Sequence, residues 1–212
     1  MKIKSFVVSP VQSNCYVLSE SDEAGSKAVI IDPGDINLQQ VFDYIDEQGF
    51  QIIANWNTHA HFDHIMGVDI VRNRYNVPSY VHKADLPIWT ELAQTVQAWI
   101  GQNVEPLNPP DGFFEDGDIL CLGNDKFTVF HSPGHSPGSV CFVGTDIVFT
   151  GDTLFAGSIG RTDLPLSSGK AMFNSLKRLL EWQDHLVLYP GHMQSTTMER
   201  ERRTNPFLQD ND

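Results

Sequence analysis

The chain has 212 residues with 14 basic and 27 acidic side chains, for a formal net charge of −13. A field this acidic repels phosphate backbones and anionic bilayers, so nucleic acid and membrane surfaces are excluded as expected partners. No apolar run approaches the roughly 20 residues of a membrane helix, and Cys15, Cys121 and Cys141 are too few for a disulfide scaffold, so a reducing cytoplasm is the expected compartment.

Residues 1–8 alternate polar and apolar side chains, which reads as a strand and not as a signal peptide. Strands are expected over residues 3–8, 15–19 and 27–31, the third closed by the turn Asp32-Pro33-Gly34. Leu38, Val41, Phe42 and Ile45 recur at helical spacing, predicting a helix over 38–48 that Gly49 stops. A short strand over 52–55 precedes a histidine-rich loop. Ile65, Val68 and Val71 then hold the period of a helix over 64–74, and 79–81 is a strand. The spacing predicts a longer amphipathic helix over 86–100, whose stripe of Trp89, Leu92, Val96 and Trp99 reads as core or groove wall. After a loop at 108–112, one hairpin pairs 118–122 with 126–130. A second pairs 139–143 with 147–150 through Gly144-Thr145-Asp146. A helix over 169–182, a strand over 186–189 and a last helix from about Thr196 complete the chain, with Thr196 and Glu199 at capping-box spacing. The three cysteines fall in apolar, strand-like runs and read as buried structural thiols. The order suits an α/β fold of two sheets with helices outside, although periodicity alone does not separate it from one open sheet. One domain over residues 1–212 is expected.

The chemistry concentrates in Thr58-His59-Ala60-His61-Phe62-Asp63-His64. Three imidazoles and a carboxylate in one short turn repel one another when protonated and are desolvated when buried. A divalent cation removes both problems, because neutral imidazole nitrogen and ionised carboxylate are its ligands. In an extended segment residues i and i+2 point the same way, so His59 and His61 can share one metal while Asp63 and His64 turn toward a second. Three later segments offer partners, each at a strand end: His135 within Ser132-Pro133-Gly134-His135-Ser136-Pro137-Gly138, Asp152 after Phe149-Thr150-Gly151, and His192 after Tyr189-Pro190-Gly191. His82, His131 and His185 lie outside this set and are not expected to be ligands.

With these residues, and with Asp32-Pro33-Gly34, the chain resembles the metallo-β-lactamase superfamily along nearly its whole length. The resemblance implies an αββα sandwich of two mixed sheets with a two-metal site at one edge. It implies that His59, His61 and His135 hold the first metal and that Asp63, His64 and His192 hold the second. Asp152 would bridge them, with Asp32 and Thr58 as supports. Two such cations need an anionic bridge, and a water they share ionises near neutral pH to attack a carbonyl carbon, with Asp63 orienting it.

The run from Gly151 to Pro165 and the terminal Glu201-Arg202-Arg203-Thr204-Asn205-Pro206-Phe207-Leu208 resemble the compact bacterial hydroxyacylglutathione hydrolases, the glyoxalase II family. The implied reaction is thioester hydrolysis, S-lactoylglutathione to lactate and glutathione, with two divalent ions, zinc first and iron or manganese as alternatives. Asp152 at the bridge speaks against β-lactam hydrolysis, and His61 speaks against the diiron oxygen reductases, which carry Glu there. Arg161 is the candidate for gripping a substrate carboxylate, with a pair to Asp163 as its competing use; Lys170 is a weaker candidate. The chain has Met193 where the pattern has Gly, and the additional C-terminal helical domain of the longer enzymes is not expected here. One-iron persulfide oxidation is an alternative, since its relatives share Gly160-Arg161-Thr162-Asp163. Lactone hydrolysis and a metal-stabilised binding module without turnover are others. A small-molecule thioester is the expected partner, and a monomer or homodimer the expected assembly.

Overall fold

The computed structural model describes residues 1–209. One sheet has the order β1 (Lys2–Val8), β2 (Ser13–Ser19), β3 (Lys27–Ile31), β4 (Gln51–Trp56), β5 (Ser79–His82) and β6 (Gly112–Phe114). Its first three strands pair antiparallel and the last four run parallel. The second sheet has β14 (Thr196–Thr197), β13 (Val187–Pro190), β10 (Ile147–Gly151), β9 (Val140–Val143), β8 (Asp125–His131) and β7 (Ile119–Leu122), with β10 and β13 its parallel pair. A small ribbon, β11 (Leu154–Phe155) with β12 (Ser158–Ile159), follows β10.

The two sheets face each other. Tyr16, Leu18, Val29, Ile31 and Trp56 from the first meet Phe127, Val129, Phe142 and Phe149 from the second in one core. The opposite faces are also apolar. Cys15, Val17, Ala28 and Ile30 lie under α1 (Gln39–Gln48) and α3 (Val68–Tyr75), against Val41, Phe42, Ile45 and Val71. Cys141, Val148 and Leu188 lie under α6 (Gly169–Leu179) and α7 (Met198–Thr204). The fold is therefore the expected αββα sandwich. Strands buried on both faces lose the polar alternation that would mark a sheet as one-sided: all seven residues of β2 are buried.

Local departures from the sequence reading have physical causes. The helix expected over 64–74 is broken into α2 (Phe62–Ile65) and α3. Gly67 sits at the break, its N–H bonded to the Pro33 carbonyl at 2.7 Å, where an added Cβ would stand 2.7 Å from Leu38 Cδ1. The helix over 86–100 is likewise two, α4 (Leu86–Thr90) and α5 (Leu92–Ile100), joined at Glu91. Trp89 is core at 1% exposure, but Trp99 is 53% exposed and does not pack in the interior. The helix expected from Thr196 starts one residue later than the capping box implies and is followed by a short α8 (Pro206–Gln209): Thr197 is the cap, accepting from Arg200 N–H, while Thr196 lies in β14 and donates to Glu201. Cys15 and Cys141 are buried free thiols; Cys121 is exposed, which corrects the expectation for it. Among the described residues no helix is long and apolar enough to cross a membrane.

Candidate metal centre

Strand polarity gathers the site. β3 and β4 run parallel in one sheet, and β8, β10 and β13 share a direction in the other. The chain leaves them at Asp32, Thr58–His64, His135, Asp152 and His192 respectively. The seven residues expected to be ligands meet at this edge.

His61 Nδ1 lies 2.7 Å from His135 Nε2, and the ring centroids of His59 and His135 are 4.9 Å apart. His192 Nε2 is 3.2 Å from Asp63 Oδ2, and His64 Nε2 is 3.4 Å from the same oxygen. Asp152 lies between the two groups. Its Oδ2 is 3.3 Å from His135 Nε2 and 3.5 Å from His192 Nε2, and its Oδ1 is 3.5 Å from His64 Nε2. His59, His61 and His135 offer ligand atoms within 4.8 Å of one another, and so do Asp63, His64 and His192.

Hydrogen bonds fix which nitrogen of each ring faces inward. His135 Nδ1–H donates to the Arg161 carbonyl at 2.8 Å, and His192 Nδ1–H to the Gln12 carbonyl at 3.1 Å. His64 Nδ1 donates to Asp32 at 3.1 Å, and His59 Nδ1 to the Thr58 hydroxyl at 3.1 Å. That hydroxyl and the Thr58 N–H both donate to Asp32, at 2.6 and 2.7 Å, so Asp32 is spent on the outward side of the rings and acts as a support. Four histidines thus turn Nε2 to the centre; His61 turns Nδ1.

The donor set fits a cation. His59 Nε2, His64 Nε2 and Asp152 Oδ1 are buried and make no hydrogen bond, an arrangement that is costly unless a positive centre meets them. Burial, helped by neighbouring imidazoles, pushes His59 well below the ordinary histidine range and His61 down to about 3, so both rings are neutral and can serve as ligands. Burial would raise Asp63, yet His64 and His192 outweigh it and hold the carboxyl well below its usual range. Burial would likewise lower His64 and His192, yet Asp63 and Asp152 hold both above theirs. Without a cation, these carboxylates favour the protonated form of both rings. Gly191 leaves room for this packing, since a Cβ there would overlap Asp152 Oδ1 and stand 2.8 Å from His64 Cε1.

Other residues named from sequence fall at the rim or outside. Arg161 is bound to Asp163 at 2.9 and 3.0 Å, with its guanidinium 5.9 Å from the exposed Trp99 ring. Lys170 is exposed. His82 caps the turn Lys83–Asp85 and stacks on His131, whose Nε2–H donates to the Pro137 carbonyl; His185 is exposed. Met193 has φ 68, the left-handed conformation that explains a glycine in the pattern there.

Some supports were invisible in the sequence. Ser13 Oγ donates to the Asp63 carbonyl, Asn14 Nδ2 to the carbonyls of Pro190 and Met193, and Tyr16 OH to that of Pro190. Asp85, fully buried, accepts from Ala60, Ser136 and Gly138. An acidic residue in the otherwise apolar frame Ala84-Asp85-Leu86-Pro87-Ile88-Trp89 was the one available signal for it.

Comparison with known proteins bears on the family and the fold. A family model described as the metallo-beta-lactamase superfamily matches residues 8–192. Hydroxyacylglutathione hydrolase GloC of Haemophilus influenzae is 31% identical over 212 residues, covering 98% of each chain. The solved structure of BLEG-1 B3 metallo-beta-lactamase superposes with a TM-score of 0.89 at 34% identity, covering 98% of this chain and 100% of that one. A di-iron-bound form of TTHA1623 superposes at 0.87 with 38% identity, covering 97% and 100%.

Proposed function

The chain belongs to the metallo-β-lactamase superfamily, and we propose that within it the protein is a hydrolase of small thioesters, working with two divalent cations, zinc in the first instance. His59, His61 and His135 would hold one cation and Asp63, His64 and His192 the other, with an oxygen of Asp152 for each. The observation that carries this reading is the place of Asp152, within 3.5 Å of ring nitrogens from both groups. When bound, the cations supply an ionised water at neutral pH and charge to oppose an oxyanion.

The remaining work falls to the chain. The Nδ1–H donors fix the ring orientations and aim the other nitrogen of each imidazole at the centre. Asp63, held ionised, accepts a hydrogen bond from the attacking water and orients it. A thiolate departs without needing a proton, so thioester hydrolysis requires no dedicated acid. Arg161 would exchange Asp163 for a carboxylate of the thiol carrier, with Trp99 beside it. The likeness to GloC supports glutathione as that carrier.

The test is a substrate panel on metal-replete protein. Turnover of S-lactoylglutathione with stoichiometric release of thiol is expected. Failure there with turnover of another thioester removes glutathione only. Turnover of a β-lactam or an acyl-homoserine lactone alone removes the thioester reading; the likeness to BLEG-1 makes the β-lactam arm necessary. One iron per chain with oxygen uptake on glutathione persulfide selects the dioxygenase that Gly160–Asp163 left open.

A further inference from the structure

Asp85 is a fully buried carboxylate with no part in the chemistry above. It ends the turn Lys83–Asp85 that leads into α4. Among the described residues no lysine or arginine pairs with it; the basic side chains with acidic partners are committed elsewhere. Its partners are donors only. Oδ2 accepts from the Ala60 N–H at 2.8 Å and the Ser136 hydroxyl at 2.7 Å, and Oδ1 accepts from the Gly138 N–H at 2.5 Å. Ala60 separates His59 from His61, and Ser136 follows His135. One carboxylate therefore ties together the two loops that carry these three imidazoles, and it touches neither loop that carries Asp152 or His192. The fit is close: a Cβ on Gly138 would stand 2.7 Å from Asp85 Cγ. Apart from the shared Asp152, the group His59, His61 and His135 contains no carboxylate, whereas its neighbour contains Asp63.

We infer that Asp85 is a positioning residue for the first of the two cation sites, holding His59, His61 and His135 in register and supplying that site with negative charge through the Ala60, Ser136 and Gly138 donors. This rests on the two-cation reading above. Asparagine is a poor substitute, because its amide would set an N–H against one of three donors and carry no charge. Losing such an outer partner typically weakens a metal site by about 10–100-fold.

The experiment is a zinc titration of chelator-stripped protein, followed by calorimetry and by imidazole NMR signals. Wild-type chain is expected to show two binding events. In Asp85→Asn the event followed by His59, His61 and His135 weakens by about 10–100-fold, while the event followed by His64 and His192 keeps its affinity. Ser136→Ala, which removes one of the three bonds and is the milder variant where Asp85→Asn does not fold, weakens the same event by a smaller factor. Val41→Ala opens a cavity under α1, in a cluster that contains no residue of either loop, and both events should persist whatever its melting temperature. Equal weakening of both events, or of neither, overturns the role of Asp85. Absence of zinc binding by wild-type protein overturns the two-cation reading itself.

Discussion

Replacing Gly191 by alanine is expected to disable the site while leaving the fold standing. The backbone of Gly191 lies outside the left-handed region, so alanine is not excluded there by conformation. The obstacle is the new methyl, which would overlap Asp152 Oδ1 and stand 2.8 Å from His64 Cε1. Carbon atoms in contact need about 3.5–4.0 Å, so the ring or the backbone must move by on the order of 1 Å, and Asp152 must also turn away. A displacement of that size at reacting groups costs about 10²-fold in rate. Overpacking costs only about 1–3 kcal/mol of stability, a fall of about 2–12 °C in Tm at this length. Turnover of S-lactoylglutathione, zinc content and thermal unfolding would be measured on Gly191→Ala beside Gly169→Ala, where the nearest atom is 3.7 Å away. A Gly191→Ala protein with wild-type turnover and full zinc would refute the packing of Asp152 against Gly191.

Further consequences concern the supports and the protons. Asp32→Ala removes the acceptor for Thr58 N–H, Thr58 Oγ1 and His64 Nδ1. Stripping a buried pair of one partner costs about 3–5 kcal/mol; denaturant unfolding showing a loss under about 1 kcal/mol would contradict it. Met193→Gly relieves a left-handed residue at φ 68, worth roughly 1–2 kcal/mol less the 0.5–1 kcal/mol that glycine gives back. Tm should rise by a few degrees, and a fall would count against that conformation. In metal-free protein the raised His64 and His192 contribute stability that is complete below the ordinary histidine range and fades as pH rises through their folded values; depressed Asp63 contributes stability that is lost as pH falls through its own. Zinc must displace those imidazole protons, so affinity should climb with pH. Calorimetry near pH 6 in buffers of different ionisation enthalpy should detect proton release, and none would refute the assignment.

The centre was legible because His59, His61, Asp63 and His64 are neighbours in sequence and because Pro and Gly mark the turns that carry His135 and His192. Their convergence depends on strand direction, which no local pattern encodes. Residue-level periodicity failed where tertiary contact decides: Gly67 breaks a helix because the Pro33 loop presses on it, and Glu91 divides an apolar stripe so that Trp89 is buried and Trp99 is not. Two sheets could not be told from one because β2 is buried on both faces. The work of Asp85, Ser13 and Asn14 was hidden for a related reason: each bonds backbone far away along the chain, and a lone polar residue gives no sign of such a partner.

Zinc content of the purified, dialysed chain tests the central claim most directly, measured by elemental analysis on wild type and on His59→Ala and His64→Ala. Two ions per chain are expected in wild type, with one site lost or severely weakened in each variant. A wild-type chain that retains no divalent ion, or variants that keep the full complement, would contradict it.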